Sequence, residues 1–456
     1  MPSKKVNVLL NRAANDGESG AVLLDEQLMR AMRIPEGRPV WLTAGTFRQK
    51  VFLKPTQRKR ALLLSKILLQ RFGMHDGLRL HIRYDATSQT LRCGPLLAVL
   101  LQRSAVMPAA RPFGEMSDFC RELALVAGRE HVWLAAVTPN SFQLTNQSMQ
   151  GWTFRRGWRR AKLPIADVIY NRLQTRKLEK SRNVQRLMKN IKSHFSTVIF
   201  NEQFLDKVSV FTALSKDSSM HKHLPRSLPC RNLQVIRQML EQYPTLFLKP
   251  ATGSMGRGIV RIARNPDGGY TTHSTHIKYT SKRHYADRDR LLRSLAAQIK
   301  RAPHLIQQGL SLLTVYRHNL DFRALVQKDG SGKWTVTSIV ARIAAPRHFV
   351  SNLARGGRIT TVMDALRKAG VSRDKAQKLH ASMRATAVAI AGSLEKQLNG
   401  SFGELGVDLA VDRDLHVWLL EVNSKPSKTD PLPPGTGKIR PSARKVVQYA
   451  KHAGKF

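Results

Sequence analysis

Three shortages frame the sequence. Cysteine is the first: 456 residues hold only Cys93, Cys120 and Cys230. They are far apart, odd in number and form no C-x-x-C pair. That excludes a disulfide framework and a thiolate zinc site, and it fits a reducing cytoplasm. Long apolar runs are the second. The longest candidate, Leu97 to Leu101, falls far short of the ~18 residues that span a bilayer. Val6 to Leu10, after Lys4 and Lys5, is too brief for a signal-peptide core. A soluble, non-exported chain without a transmembrane segment is expected. Acidic residues are the third: 31 Asp and Glu stand against 76 Lys and Arg, a net charge of +45. Such a charge implies an anionic partner, namely nucleic acid, an acidic polymer or an acidic cell structure. Its bland alternatives are a highly basic proteome and a solubility device. The basic residues run along the whole chain, so charge alone marks no groove and says nothing about fold.

The remaining composition is globular, with 42% hydrophobic residues and no excess of Gly or Pro. The length suggests two to four domains. Residues 1–100 read as a β-rich module. The phrase Pro35-Glu36-Gly37-Arg38-Pro39-Val40-Trp41-Leu42 is a turn followed by an alternating strand, and Met74-His75-Asp76-Gly77-Leu78-Arg79-Leu80-His81-Ile82 resembles it. Each follows an apolar, helix-like stretch, Leu28 to Ile34 and Leu64 to Phe72, so a duplicated helix–turn–strand unit is one reading and chance the other. Residues 101–204 read as α/β: a helix over 116–127, then apolar strands at 132–137, 168–170 and 197–200. Between them Trp152, Phe154 and Trp158 alternate with Arg155, Arg156, Arg159 and Arg160. Such interleaving can bind nucleic acid; rings packed inward are the favoured reading. Residues 435–456 read as a short basic tail, surface or frayed.

The chemistry concentrates in residues 205–434. Leu246-Phe247-Leu248-Lys249-Pro250 is a strand ending in a lysine. Gly253-Ser254-Met255-Gly256-Arg257-Gly258 follows at once, then a second strand, 259–262. A glycine-rich turn lets backbone N–H groups approach phosphate oxygens, and the lysine adds a point charge. A strand follows rather than a helix, so neither a Walker A loop nor a dinucleotide fingerprint fits. Leu305 to Leu310, with Gln307 and Gln308, is a short strand that can offer backbone groups to an adenine edge. Asp321 and Arg323, two apart on a strand, share one face; they can be an ion pair or a phosphate fork. Arg342 sits in an apolar strand, where its charge must be met by a bound anion or an internal carboxylate. Asn352, Gly356 and Gly357 suit a substrate loop. Asp408 stands thirteen residues before Glu421, and Glu421 shares a strand face with Asn423. Three oxygen donors in otherwise apolar strands suit a hard cation such as Mg²⁺.

Each piece has an ordinary alternative, but their order resembles the ATP-grasp superfamily over about 205–434. More narrowly the chain resembles the YheC/YheD-like endospore coat-associated family. That branch resemblance rests on Leu163-Pro164-Ile165-Ala166-Asp167-Val168-Ile169-Tyr170-Asn171-Arg172, on Phe200-Asn201-Glu202-Gln203-Phe204-Leu205-Asp206-Lys207, and on Leu224-Pro225. The resemblance implies an α+β fold of two subdomains holding ATP between them, preceded by an α/β pre-ATP-grasp-like domain. It implies Lys249 on phosphate, Gly253, Ser254, Gly256 and Gly258 closing over it, and Gln307, Gln308 and Leu310 bordering adenine. Asp408, Glu421 and Asn423 would hold one or two Mg²⁺. Arg323 and Arg342 would face the γ-phosphate or an acylphosphate, with Asp321, Asn352, Gly356 and Gly357 toward the acceptor. The implied activity is ATP-dependent ligation of a carboxylate to an amine or thiol, in the cytoplasm or with the spore. Two alternatives are a structural spore protein that retains ATP binding and a basic nucleic-acid-binding protein.

Overall fold

The computed structural model describes residues 3–12, 21–103, 107–253, 256–275, 279–345, 357–428 and 439–456. The N-terminal residues close into a seven-stranded barrel. Its strand order is Lys4–Leu10, Ala61–Leu64, Ala21–Asp25, Phe47–Thr56, Pro39–Ala44, Thr90–Gly94 and Leu78–Asp85, and the last pairs with the first. Alternate residues of Pro39–Ala44 are buried, as a half-covered strand requires.

The repeated phrase corresponds to a repeated structure. Helix Glu26–Ala31 is capped by Asp25, and helix Lys66–Phe72 by Ser65. Each ends on a left-handed residue, Arg33 (φ 53°) and Gly73 (φ 66°). Ile34 N donates to Met29 O at 3.0 Å, and Met74 N to Leu69 O at 2.8 Å. Gly37 (φ 72°) and Gly77 (φ 80°) then turn the chain into strands Pro39–Ala44 and Leu78–Asp85. Corresponding positions lie forty residues apart (33 and 73, 37 and 77).

Beside the barrel lies a seven-stranded α/β sheet. Leu96–Leu100 pairs in parallel with Trp133–Val137 and Val168–Asn171, which pairs with Val198–Phe200. Helix Met116–Arg129 covers one face. In hairpin Ser148–Phe154/Trp158–Pro164, Trp152 and Trp158 stand edge-on to Phe113 at 6.3 and 6.0 Å, so the rings pack inward. One expectation is corrected. Residues 441–453 are a helix, not a frayed tail: Ala443, Val446, Val447 and Ala450 are buried in the core shared with Met116–Arg129. Their 3–1–3 spacing is an apolar stripe that the surrounding lysines and arginines hide from a composition count.

Two antiparallel sheets complete the chain and form the two α+β subdomains. One has the order Ser227–Cys230, His304–Gln308, Thr245–Pro250, Val260–Arg264, Tyr270–Thr275, Thr280–Tyr285, packed on helices Leu233–Gln242 and Arg288–Arg301. The other has the order Arg358–Thr360, Trp334–Ile343, His318–Lys328, Glu404–Val411, Val417–Asn423, packed on helix Arg373–Gln397. Phe322, Ala324, Val407, Leu409 and Val422 face that helix. By alternation Asp321, Arg323, Asp408, Glu421 and Asn423 fall on the opposite face. Among the described residues no helix is long and apolar enough to cross a membrane.

Candidate nucleotide and metal site

Strand register builds the site. Asp321 lies opposite Arg342, Arg323 opposite Asp408, and Asp408 opposite Glu421. Two acid–arginine pairs and a facing pair of carboxylates, Asp408 and Glu421, therefore cross four strands. Arg323 grips both carboxylate oxygens of Asp408, with Nη2 at 2.9 Å from Oδ2. Arg342 donates Nε to Asp321 at 2.5 Å and places Nη2 3.1 Å from Asp408 Oδ2. Burial alone would pull both guanidiniums down. The Asp408 and Asp321 carboxylates more than offset it and hold them above their ordinary range. Burial would likewise raise Asp408, but the two arginines keep it below the usual carboxylate value.

The facing sheet contributes Lys249, whose alternation with buried Leu246 and Leu248 turns it away from the helices. Its ammonium donates to Gln307 Oε1. Burial pushes its pKa down to about 8, with Glu421 pulling back upward. Downstream of Lys249, Gly256 (φ 66°) and Gly258 (φ 70°) take the left-handed backbone that the turn requires. Thr275 Oγ1 donates to Gly256 O, and Gly258 N to Thr275 O, which fastens the returning strand.

The remaining expected residues divide as follows. Gln307 is tied by side chain to Lys249 and Ser227, and Gln308 Oε1 accepts from Arg226 N. Both occupy a strand flanked on each side, so their ladder-bound backbone is committed within the sheet. Half-buried Leu310 begins the crossing to the other sheet, which Leu313 N joins at Val411 O. Gly357 precedes edge strand Arg358–Thr360, which lies beside Arg342. Ser254, Asn352 and Gly356 lie outside the described residues.

Sequence reasoning missed Lys207. It opens helix Lys207–Leu214 after the Asp206 cap. Its buried ammonium donates to Gly253 O at 2.8 Å and to Glu421 Oε1 at 3.0 Å. One cation thus ties the glycine loop to the carboxylate face. The signal was available: a lysine beside a helix cap in an otherwise apolar segment must have a partner.

The donor set fits Mg²⁺ of a particular kind. Among the described residues no three His, Cys, Asp or Glu side chains group for a metal. Asp408 spends most of its lone pairs on two arginines. Glu421 is engaged through Oε1 and is a third exposed, which leaves Oε2 for a ligand beside Asn423. Mg²⁺ is commonly held by one or two carboxylates, waters and substrate phosphates rather than by an all-protein cage.

A family model described as YheC/D like ATP-grasp matches residues 196–452. Endospore coat-associated protein YheD of Bacillus subtilis (strain 168) is 29% identical over 344 residues, covering 75% of this chain and 74% of the relative. Endospore coat-associated protein YheC of the same organism is 22% identical over 274 residues, covering 59% and 73%. Among solved structures, the D-cycloserine synthetase DcsG aligns at TM-score 0.45 and 14% identity, covering 78% of this chain and 100% of that one. The ATP-grasp ligase PsnB complexed with a minimal precursor aligns at TM-score 0.44 and 12% identity, covering 78% and 99%.

Proposed function

The chain belongs to the YheC/D-like ATP-grasp family, and from that premise we propose that it binds ATP with Mg²⁺ and ligates a carboxylate to an amine or thiol. Residues 205–434 form the catalytic domain, behind the barrel, whose last strand in sequence ends at Gly94, and the α/β domain, which opens with strand Leu96–Leu100 rather than at residue 101. The observation that carries this reading is the pairing of two faces: Asp408, Glu421 and Asn423 on one sheet, Lys249 and the glycine turn on the other, with Lys207 between them.

In this mechanism Lys249, Lys207 and the 253–258 turn bind the phosphates, and the segment from Gln307 to Leu310 borders the base. Glu421 and Asn423, with the remaining lone pair of Asp408, would hold one or two Mg²⁺. The metal supplies charge neutralisation across the phosphates. A carboxylate oxygen of the acid attacks the γ-phosphorus; the bond to the β-phosphate oxygen breaks and ADP leaves. The acceptor then attacks the acyl carbon, loses a proton and expels phosphate. Arg323 and Arg342 line this face as charge stabilisers, and their carboxylate partners fix their geometry in advance. Asp321, Asn352, Gly356 and Gly357 shape the acceptor side.

The link to endospores comes with the relatives' names. A +45 chain suits an acidic spore layer, an acidic polymer or nucleic acid. A second reading, a structural protein that binds ATP without turnover, is favoured by the engagement of both Asp408 oxygens with arginines. Calorimetric ATP binding with and without Mg²⁺, on wild type and Glu421→Ala, tests the site. Metal-dependent binding lost in the variant supports it; no binding by the wild type overturns it. ADP release during a screen of amino acids and peptides separates ligase from scaffold.

A further inference from the structure

The motif Phe200-Asn201-Glu202 has no part in that mechanism, yet its central residue uses every hydrogen-bonding position of its side chain near the site. Asn201 is fully buried and left-handed (φ 53°), a backbone that asparagine tolerates better than most residues. Its Oδ1 accepts from Gly403 N at 2.9 Å and Glu404 N at 3.2 Å. Its Nδ2 donates to Glu404 O at 2.8 Å and to Ser424 O. Those are all four hydrogen bonds that an amide side chain can make.

The partners matter as much as the count. Glu404 starts the strand that carries Asp408, and Ser424 follows Asn423 directly. The register between these two strands ends at Gly406 opposite Asn423. Beyond it, Asn201 supplies the rung that the strands do not make with each other. The pair also carries a register shift between Asp408 and Leu409, beside the site itself. A slip of one residue in this pair would turn its side chains to the other face, so the register at the site must be held. A second tether acts in the same sense: Ser424 Oγ donates to Gln203 O at 2.7 Å and accepts from Leu205 N at 3.1 Å. Arg172 Nη2 donates to Pro426 O at 2.9 Å.

We propose that Asn201 is a positioning residue of the metal site, setting the register of the two strands so that Asp408 stands opposite Glu421 with Asn423 beside it. The proposal rests on the Mg-nucleotide reading above. It makes the metal site depend on a residue outside both of its sheets, while the Lys249 side does not.

The test uses ADP and Mn²⁺ with the full chain. Asn201→Asp keeps shape and backbone but turns two donors into acceptors facing carbonyls. Asn201→Gly keeps the backbone freedom and removes the clamp. Electron paramagnetic resonance gives the half-saturating Mn²⁺ concentration in the presence of ADP; calorimetry gives ADP affinity in EDTA. In variants that unfold cooperatively, the half-saturating Mn²⁺ rises about tenfold while ADP affinity in EDTA stays within about twofold. A Mn²⁺ response matching wild type in a folded variant overturns the positioning role and leaves the ATP reading standing. A wild type that binds neither probe overturns both. If both variants fail to fold, amide exchange in the wild type decides. Slower exchange at Gly403 and Glu404 on adding Mn²⁺ and ADP supports the clamp, and unchanged exchange overturns it.

Discussion

Lys207 places its ammonium 3.0 Å from a Glu421 carboxylate oxygen while the same nitrogen reaches the Gly253 carbonyl at 2.8 Å. On the proposed function, a cation held at the meeting of the glycine turn and a candidate metal ligand would turn toward phosphate when nucleotide binds. Lys207→Met should therefore weaken ATP binding about tenfold or more, equivalent to about 1.4 kcal/mol. Lys207→Arg should recover part of the loss, because the charge returns with altered reach. Calorimetric titration measures both. Wild-type affinity in Lys207→Met would make the contact purely structural.

Asp408 and Glu421 face each other but should fail differently. Asp408 is buried between two guanidiniums, so Asp408→Ala strands Arg323, while Arg342 keeps Asp321, and should cost about 3–5 kcal/mol of stability. Glu421 is a third exposed and meets one lysine, so Glu421→Ala should cost roughly 1–2 kcal/mol. Its main effect should fall on Mg²⁺-dependent binding. Denaturant midpoints of the two variants give the comparison, and the reverse order would remove the distinction between a structural carboxylate and a ligand.

Lys249 gives the site a pH dependence whose sign is fixed. Burial lowers its pKa from 10.5 to about 8. Nucleotide phosphates favour the charged form, so the bound protein holds the proton to higher pH. Affinity should be greatest below about pH 8 and fall by up to tenfold per unit above it. For the unliganded protein, the unfolded chain binds more protons between about 8 and 10.5, so this group's contribution to stability rises with pH across that window. Titrations at pH 8.5 in buffers of different ionisation enthalpy should show proton uptake on ATP binding, and Lys249→Met should abolish it. Equal enthalpies in all buffers for the wild type would rule the lysine out.

What could be read in advance follows from how each feature is encoded. Lys249, Asp408, Glu421 and Asn423 break apolar strands at fixed spacing, so period-two alternation alone puts them on an open face. The ion pairs of Arg323 and Arg342 depend on which strands become neighbours. Asp321 pairs with Arg342, twenty-one residues away, rather than with Arg323 on its own face. Lys207 and Asn201 act at sequence distances of 214 and 223 residues, where local pattern carries no information. The helix Pro441–Ala453 was missed because its charges dominate the count while its stripe of small residues is modest. The barrel's closure was not legible either. The strands Lys4–Leu10 and Leu78–Asp85 pair across more than sixty intervening residues, a distance at which local pattern carries no information.

The forty-residue repeat in the barrel allows an internally controlled measurement. Gly37 and Gly77 occupy the same step of the two helix–turn–strand units, at φ 72° and 80°. A Cβ added at either position meets nothing within 4 Å, so packing contributes nothing to the cost of a substitution. Only the left-handed backbone remains, and for an L-residue that costs roughly 1–2 kcal/mol. Gly37→Ala and Gly77→Ala should therefore each destabilise the barrel by about that amount and agree within a few tenths of a kcal/mol. The double variant should show the sum when the turns act independently, and a departure from it would report coupling through strand Thr90–Gly94, which the two following strands flank. Chemical denaturation of the three variants measures this directly. A large inequality between the singles would mean that the two units, alike in backbone, do not carry equal shares of the barrel's stability.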